Sequence, residues 1–334
     1  DVPVVFNHQF TTPGDHVVEL SMDNDPLPLD DRRRLVIPVR ESVNVLLVDG
    51  HFRSEAFQAE TDYLAQALAP TEGTSDQQRL IHAEVVPESQ LARQELDQFD
   101  VVVLCNVSQF SQAEVNALEN LLSRGGGVVF FGGDQVIPDV YNRILYNDGN
   151  GLLPAEIGPS VGDSAKKEAA FGINPLGFRH PIVNEFQNAS DSVTAGLTRA
   201  LTWQFHKLIL PKDSTARVAL AFDNGDPLII ESQRGRGRVI QVATSADAGW
   251  TTWPLHRSYP PVMQRIVLEA AAGKLSEQSV LVGQPITRVY GPEGAGATAT
   301  VTTPGGQSVP VRLKSDGPLS QFQFDRTDLS GVYQ

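Results

Sequence analysis

Apolar residues along this chain follow two patterns. Between residues 43 and 273, short unbroken apolar runs alternate with stretches of helical period; on either side, single apolar and polar positions alternate weakly. Val45-Leu46-Leu47-Val48 is a continuous apolar run ending at Asp49-Gly50, as a strand buried on both faces requires. A helix is expected from about Ser54 to Ala69, with Phe57, Leu64 and Leu68 on one face and Tyr63 and Ala67 beside them. Ile81 to Val86 reads as a second strand, and Val101 to Leu104 as a third that ends at Cys105-Asn106. The next helix opens on a capping box, Ser111 with Glu114 three residues on. Its stripe is Val115, Leu118, Leu121 and Leu122, and Gly125 stops it. Val128 to Phe131 is a fourth strand, running into Gly132-Gly133-Asp134. Strands alternating with helices predict an α/β fold: a doubly wound, mostly parallel, flavodoxin-like sheet with right-handed crossovers.

Residues 138–215 lack a clear period and are expected as an irregular insertion. Three strands follow in succession, Val218–Phe222, Leu228–Glu231 and Val239–Ala243, with turns at Asp223-Asn224-Gly225-Asp226 and Gly235-Arg236-Gly237. A helix from about Pro260 to Ala272 closes the 43–273 domain on Val262, Met263, Ile266, Val267 and Ala270. Residues 1–42 hold two expected strands, His16–Met22 and Leu35–Val39, joined by a loop over Asp23–Pro28. Two strands are not a stable domain, so this stretch reads as the C-terminal part of a β-sandwich module. Residues 274–334 read as the start of a second, immunoglobulin-like sandwich. Ala297–Thr303 and Val309–Leu313 flank a Pro304-Gly305-Gly306 turn, and Phe322 and Phe324 share a face. The chain opens at Asp1 without methionine and stops at Val332-Tyr333-Gln334 inside an expected strand, so both ends are expected to continue into a longer protein.

Charge removes one class of function. The net charge of −14 comes from acidic residues spread along all 334 positions, which disfavours a nucleic-acid partner, because phosphate binding needs clustered Lys and Arg. Arg32-Arg33-Arg34 reads as the solvated start of a strand. Cys105 is the single cysteine, so neither an internal disulfide nor a paired-cysteine zinc site is expected. No apolar run approaches the ~18 residues of a membrane span, and no signal peptide is visible.

Three segments together resemble a class I glutamine amidotransferase-like domain. They are Val43–Gly50, the run from Gly125 through Phe130-Phe131-Gly132-Gly133-Asp134-Gln135 to Val136, and Gly235–Val239 with Thr244-Ser245-Ala246-Asp247 and Trp250. The version most resembled belongs to bacterial aerotolerance-type membrane proteins, which combine a membrane anchor, a von Willebrand factor A domain and β-sandwich modules. That resemblance implies a membrane tether outside this chain, a location on the extracytoplasmic (periplasmic) face, with the cytoplasm as the alternative, and protein partners or the protein's own further domains. In active relatives a cysteine sits in a tight Gly-x-Cys-x-Gly turn after a strand, beside a histidine that an acid two residues on orients. Here the equivalent turn offers Gly132-Gly133-Asp134-Gln135, and Cys105 follows the preceding strand. His180, His206 and His256 lack the acid at that spacing. The chain is therefore expected not to be an amidotransferase, and no cofactor is expected.

Open α/β sheets bind ligands beyond the carboxyl ends of their strands. The candidate crevice comprises Asp49, Gly50, His51, Cys105, Asn106, Gly133, Asp134, Ser245 and Asp247. Asp49, Asp134 and Asp247 either converge on a divalent cation or cap helices and close turns. Cys105 is either a thiol activated near a helix start or a small buried hydrophobe. The arginines around Gly235 and Gly237 read as the basic edge of a hairpin. Trp250, Trp253 and Tyr259 are a candidate aromatic surface for a sugar or partner, or else a plug between domains. His180-Pro181 reads as a turn. The expected function is a non-catalytic interaction or scaffold module. The alternatives are a hydrolase or metal-dependent enzyme using the acidic strand ends, and a carbohydrate or cell-envelope binder.

Overall fold

The computed structural model describes residues 6, 8, 10–22, 31–53, 55–68, 80–188, 196–274, 280–290, 294–316 and 319–334. The chain divides into two compact units: Ser42–Lys274, and a second formed by Asp1–Glu41 with Leu275–Gln334. The two flanks, expected as pieces of separate modules, thus fall in one unit. In that unit β1 (Gly14–Ser21) pairs antiparallel with β2 (Arg32–Val39), and the Arg32–Arg34 run opens β2. The expected loop over 23–28 lies outside the described residues.

The larger unit is built on a sheet of nine strands among the described residues. Its parallel half contains β3 (Val43–Asp49), β4 (Ile81–Pro87), β5 (Val101–Cys105), β6 (Gly127–Phe131) and, late in the chain, β13 (Gly237–Val242). Their spatial order, β4-β3-β5-β6-β13, is that of a flavodoxin-like sheet, with its switch point between β3 and β5. Alternate residues of each buried strand feed two cores. Val43, Val45 and Leu47 face α1 (Asp62–Leu68) and the late helix, whereas Leu46 and Val48 face the layer of α2 (Gln112–Ser123). Helix α2 is closed by the expected reciprocal box between Ser111 and Glu114.

Helix α1 departs from expectation. It begins at Asp62 rather than near Ser54, a residue outside the described set. Phe57 has a left-handed backbone, φ 63°, which no helix continues through. The Asp49 carboxylate also accepts from Thr61 N (3.0 Å) and Thr61 Oγ1 (2.8 Å), holding the helix start at the end of β3. Residues 55–61 are therefore a loop over the strand ends, and Phe57 is 55% exposed instead of lying on the apolar face.

The 138–215 segment is more regular than its sequence suggests. After the short α3 (Pro138–Tyr141) it contains β7 (Glu156–Gly162), β8 (Phe171–Asn174), β9 (Leu201–Thr202) and β10 (Gln204–Ile209). β7 and β10 form a separate antiparallel ribbon. β8 and β9 extend the main sheet beyond β11 (Arg217–Phe222) and β12 (Pro227–Arg234), which run antiparallel after β13. Helix α4 (Tyr259–Ala271) packs its Val262, Met263, Ile266, Val267 and Ala270 face into the same core as α1.

The basic hairpin edge is tied down rather than free. Arg234 donates to the Gly149 carbonyl (3.0 Å), and Arg238 donates to Glu231 (2.8 Å) and to Glu269. His180 is not a simple turn residue: it is buried, with Nε2 2.9 Å from Glu231 Oε2. In the smaller unit, β14 (Ile286–Tyr290), β17 (Lys314–Asp316) and β18 (Leu319–Phe324) form one sheet in the order β14-β18-β17. β15 (Thr298–Thr302) and β16 (Ser308–Arg312) form a hairpin. Phe322 and Phe324 share a small core with Val301 and Leu313. Residues 332–334 form no strand, although Gln334 exchanges two backbone hydrogen bonds with Thr302.

Candidate functional site

A polar crevice of about 480 Å³ opens at the carboxyl ends of the parallel strands. Of the residues expected there, His51, Gly133, Asp134, Ser245 and Asp247 line it, and so does Trp250. Asp49, Gly50, Cys105 and Asn106 do not. Asp49 is 1% exposed, and its oxygens are used by Thr61 and by the His51 backbone N–H (2.9 Å). Asp247 Oδ1 accepts the Gly249 N–H at 2.9 Å. The three aspartates thus do not form the cation site that was one of the two readings of them. Two of them serve backbone donors, as short carboxylates at strand ends commonly do.

Glu60 takes the place that sequence reasoning gave to Asp49. It lies in the loop that carries Phe57, is 6% exposed and lines the crevice. Asn106 holds it: Asn106 Nδ2 donates to Glu60 Oε1 and to Asp134 Oδ1, both at 2.7 Å, while Asn106 Oδ1 accepts from Gln135 N at 2.8 Å. One side-chain amide therefore bridges two carboxyl groups from different loops. The other Glu60 oxygen, Oε2, is buried and has no partner among the described residues. Burial, together with the charges of Asp247, Asp49 and Asp134, pushes the Glu60 carboxyl up to about 8, against the pull of Asn106. Burial also acts to raise Asp134, but hydrogen bonds from Asn106 and Gln135 and the nearby His51 outweigh it and leave that carboxyl below its ordinary value.

Backbone geometry shows how the chain makes room for this amide. Asn106, at the end of β5, has φ 53°, the left-handed region that asparagine tolerates better than most residues. A Cβ on Gly50 would lie 1.9 Å from the Asn106 carbonyl oxygen, and one on Gly133 would lie 2.2 Å from Asn106 Oδ1. Gly133→Ala should therefore displace the Asn106 side chain and cost about 1–2 kcal/mol as local overpacking, measured by denaturant unfolding. An unchanged midpoint would show that the close approach is not needed.

The thiol is out of play. Cys105 is 0% exposed, within the sheet core. Burial raises it well above the ordinary thiol value, and the carboxylates of Glu60, Asp49 and Asp247 raise it further. The bend after β6 presents Gly132-Gly133-Asp134, and His206 packs against it with Nε2 3.1 Å from the Gly133 carbonyl. Burial lowers the His206 imidazole, partly offset by that bond.

The aromatic residues do not form a surface. Trp250, Trp253 and Tyr259 are 6%, 2% and 2% exposed. Burial is possible because their polar ends find partners: Trp253 Nε1 donates to Ser258 Oγ (3.2 Å) and Tyr259 OH donates to the Ala246 carbonyl (2.7 Å). Trp250 packs against His206 with the rings tilted by 59° and their centroids 5.1 Å apart, and forms part of one wall of the crevice.

Sequence reasoning missed Glu60, Arg53, Phe57 and Ser164. Glu60 and Phe57 lie within the expected 54–69 helix and Arg53 just before it, and Ser164 lies in the segment without a clear period. Their sequence carried no signal of a loop folded over the strand ends.

Among the described residues, no helix is long and apolar enough to cross a membrane. No family model matches the chain, and no curated protein matches it. Solved structures do. A cytoplasmic protein of Salmonella typhimurium LT2 aligns with a TM-score of 0.50 at 15% identity, over 68% of this chain and 99% of that one. A ThuA-like protein from Parabacteroides merdae aligns at 0.42 and 16%, over 72% and 94%. A β-galactosidase from Bacillus circulans sp. alkalophilus aligns at 0.41 and 12%, over 88% and 42%. Of these three, the first shows a shared α/β fold and, at that identity, the fold alone.

Proposed function

We propose that residues 42–274 form a class I glutamine amidotransferase-like domain that has no thiol chemistry and serves as a binding module for a small polar ligand. One observation carries the reading: the open polar crevice lies at the strand ends around Glu60, Asp134 and Asp247, while the single cysteine thiol is buried beneath it. Ligands of open α/β sheets sit at this place, and the flavodoxin-like order puts its switch point there. We read the flanks as β-sandwich, immunoglobulin-like pieces. On this reading they join the binding domain to a larger membrane-tethered assembly on the extracytoplasmic face, with protein partners. Burial of Trp253 and Tyr259 weighs against a sugar-stacking role.

A thermal-shift panel of free amino acids, polyamines and monosaccharides tests the binding role. Ala248 lines the crevice, so Ala248→Trp is designed to obstruct it while leaving Glu60, Asn106 and Asp134 in place. One class of compound should raise the wild-type Tm by several degrees at ~100-fold above its Kd, and leave A248W unmoved. No response across the panel, or equal shifts in both proteins, would overturn the reading.

A further inference from the structure

We propose that the crevice holds one divalent cation on His51, Glu60 and Asp134, taking Zn²⁺ or Mn²⁺ in preference to Mg²⁺. The inference rests on the crevice being a binding site and names what that site binds first. One donor atom from each of the three side chains lies within 4.8 Å of the other two. Donors around one such ion sit ~2.0–2.2 Å from it, and hence ~3–4.4 Å from each other, so a small side-chain rotation completes the set. One imidazole with two carboxylates suits zinc or manganese better than magnesium, which binds mainly oxygen and keeps its waters.

Acidic side chains near one another are common, and the cluster alone would carry nothing. The second observation is Glu60 Oε2. It belongs to a residue more than nine-tenths buried that lines the crevice, and it has no hydrogen-bond partner among the described residues. Burying such an atom unpaired costs on the order of 1–3 kcal/mol, and a bound cation removes that cost.

The surroundings are those of a built site. Asn106 clamps Glu60 and Asp134 together, as outer hydrogen bonds orient ligating carboxylates, and Gly50 and Gly133 leave space for it. Arg53 Nη2 lies 3.0 Å from His51 Nε2. A guanidinium only donates, so in this contact Nε2 is the acceptor, and its lone pair is the one an ion would use. Arg53 is exposed and free to withdraw when an ion takes its place. Three protein ligands leave at least one coordination position open towards the crevice, where a polar ligand would complete the shell.

The test uses the full chain after chelator treatment. Zn²⁺ and Mg²⁺ are titrated by calorimetry, and Mn²⁺ is followed by electron paramagnetic resonance. One Zn²⁺ or Mn²⁺ should bind per chain, at least 10-fold more tightly than Mg²⁺. His51→Ala and Asp134→Asn should each weaken binding at least 10-fold while keeping a native circular dichroism melt. If Asp134→Asn fails to fold, Glu60→Gln, which keeps the acceptor for Asn106, serves in its place. Absence of stoichiometric binding, or binding unchanged in these variants, would overturn the inference. A panel compound that binds a protein without metal affinity would leave the crevice reading standing and sink only the cation. Failure of both would sink both.

Discussion

Glu60→Gln is expected to stabilise the metal-free protein, and by more at pH 8 than at pH 5. The folded chain holds the Glu60 carboxyl at about 8, chiefly through burial, against an ordinary value of 4.5. A carboxyl raised in this way binds its proton more tightly when folded. Its penalty is therefore absent below pH 4.5 and grows as pH rises towards 8. Over that window the folded state loses on the order of 3 kcal/mol that glutamine, with no charge to desolvate, does not lose. Glutamine keeps an oxygen for Asn106 Nδ2, so the clamp on Asp134 survives. Urea unfolding of both proteins at pH 5 and pH 8, with chelator present, reads the difference directly. Equal stabilities at the two pH values would mean that the loop opens and hydrates the carboxylate. A site that stores instability in an unpaired carboxyl fits a role in binding rather than in packing.

The second large effect lies away from the crevice, at Glu231. This carboxylate is 3% exposed and accepts from three side chains: His180 Nε2 at 2.9 Å, Arg217 Nη2 at 2.5 Å and Arg238 Nη1 at 2.8 Å. Burial acts to raise it, but His180 and the two arginines outweigh burial and hold it down to about 2. Glu231→Gln should cost about 2–3 kcal/mol near pH 7, because charge-assisted bonds are lost while Arg217, half exposed, partly rehydrates. For a unit of this size that lowers Tm by roughly 5–10 °C. The linkage runs opposite to that of Glu60. The stabilisation is complete above pH 4.5 and disappears as pH falls towards 2, so the gap between wild type and variant should narrow with acid. A gap that stays constant from pH 7 to pH 3 would show that folding leaves the proton affinity of this carboxylate unchanged.

The parallel core was legible because its signals are local. β3, β5 and β6 each contain an unbroken apolar run of four residues or more, and α2 carries both halves of its capping box within four residues. The first half of the expected 54–69 helix was not legible. The Asp49–Thr61 bonds that delay the helix, and the left-handed Phe57, arise from the tertiary fold and overrode a plausible apolar period. The candidate site was half legible for the same reason. Residues directly after strands, such as His51, Asp134 and Asp247, follow from the rule for strand ends. Glu60 comes from a loop folded back over those ends, and its bond to Asn106 spans 46 residues. His180 and Glu231 pair across 51 residues, so a histidine-proline dipeptide gave no hint of the contact. The tryptophans were ambiguous in principle, since an amphipathic ring suits a surface or an interior. The hydroxyls and carbonyls offered by Ser258 and Ala246 decide for the interior at Trp253 and Tyr259.

The central claim is that the working part of this domain is the polar crevice and not the sulfur beneath it. Native-state reaction of Cys105 with an aromatic disulfide reagent tests this most directly. The account predicts no release of the coloured thiolate over hours at pH 8, and one equivalent per chain at once in guanidinium. Full reaction of the native protein within minutes, accompanied by ammonia release from glutamine that Cys105→Ala abolishes, would contradict it.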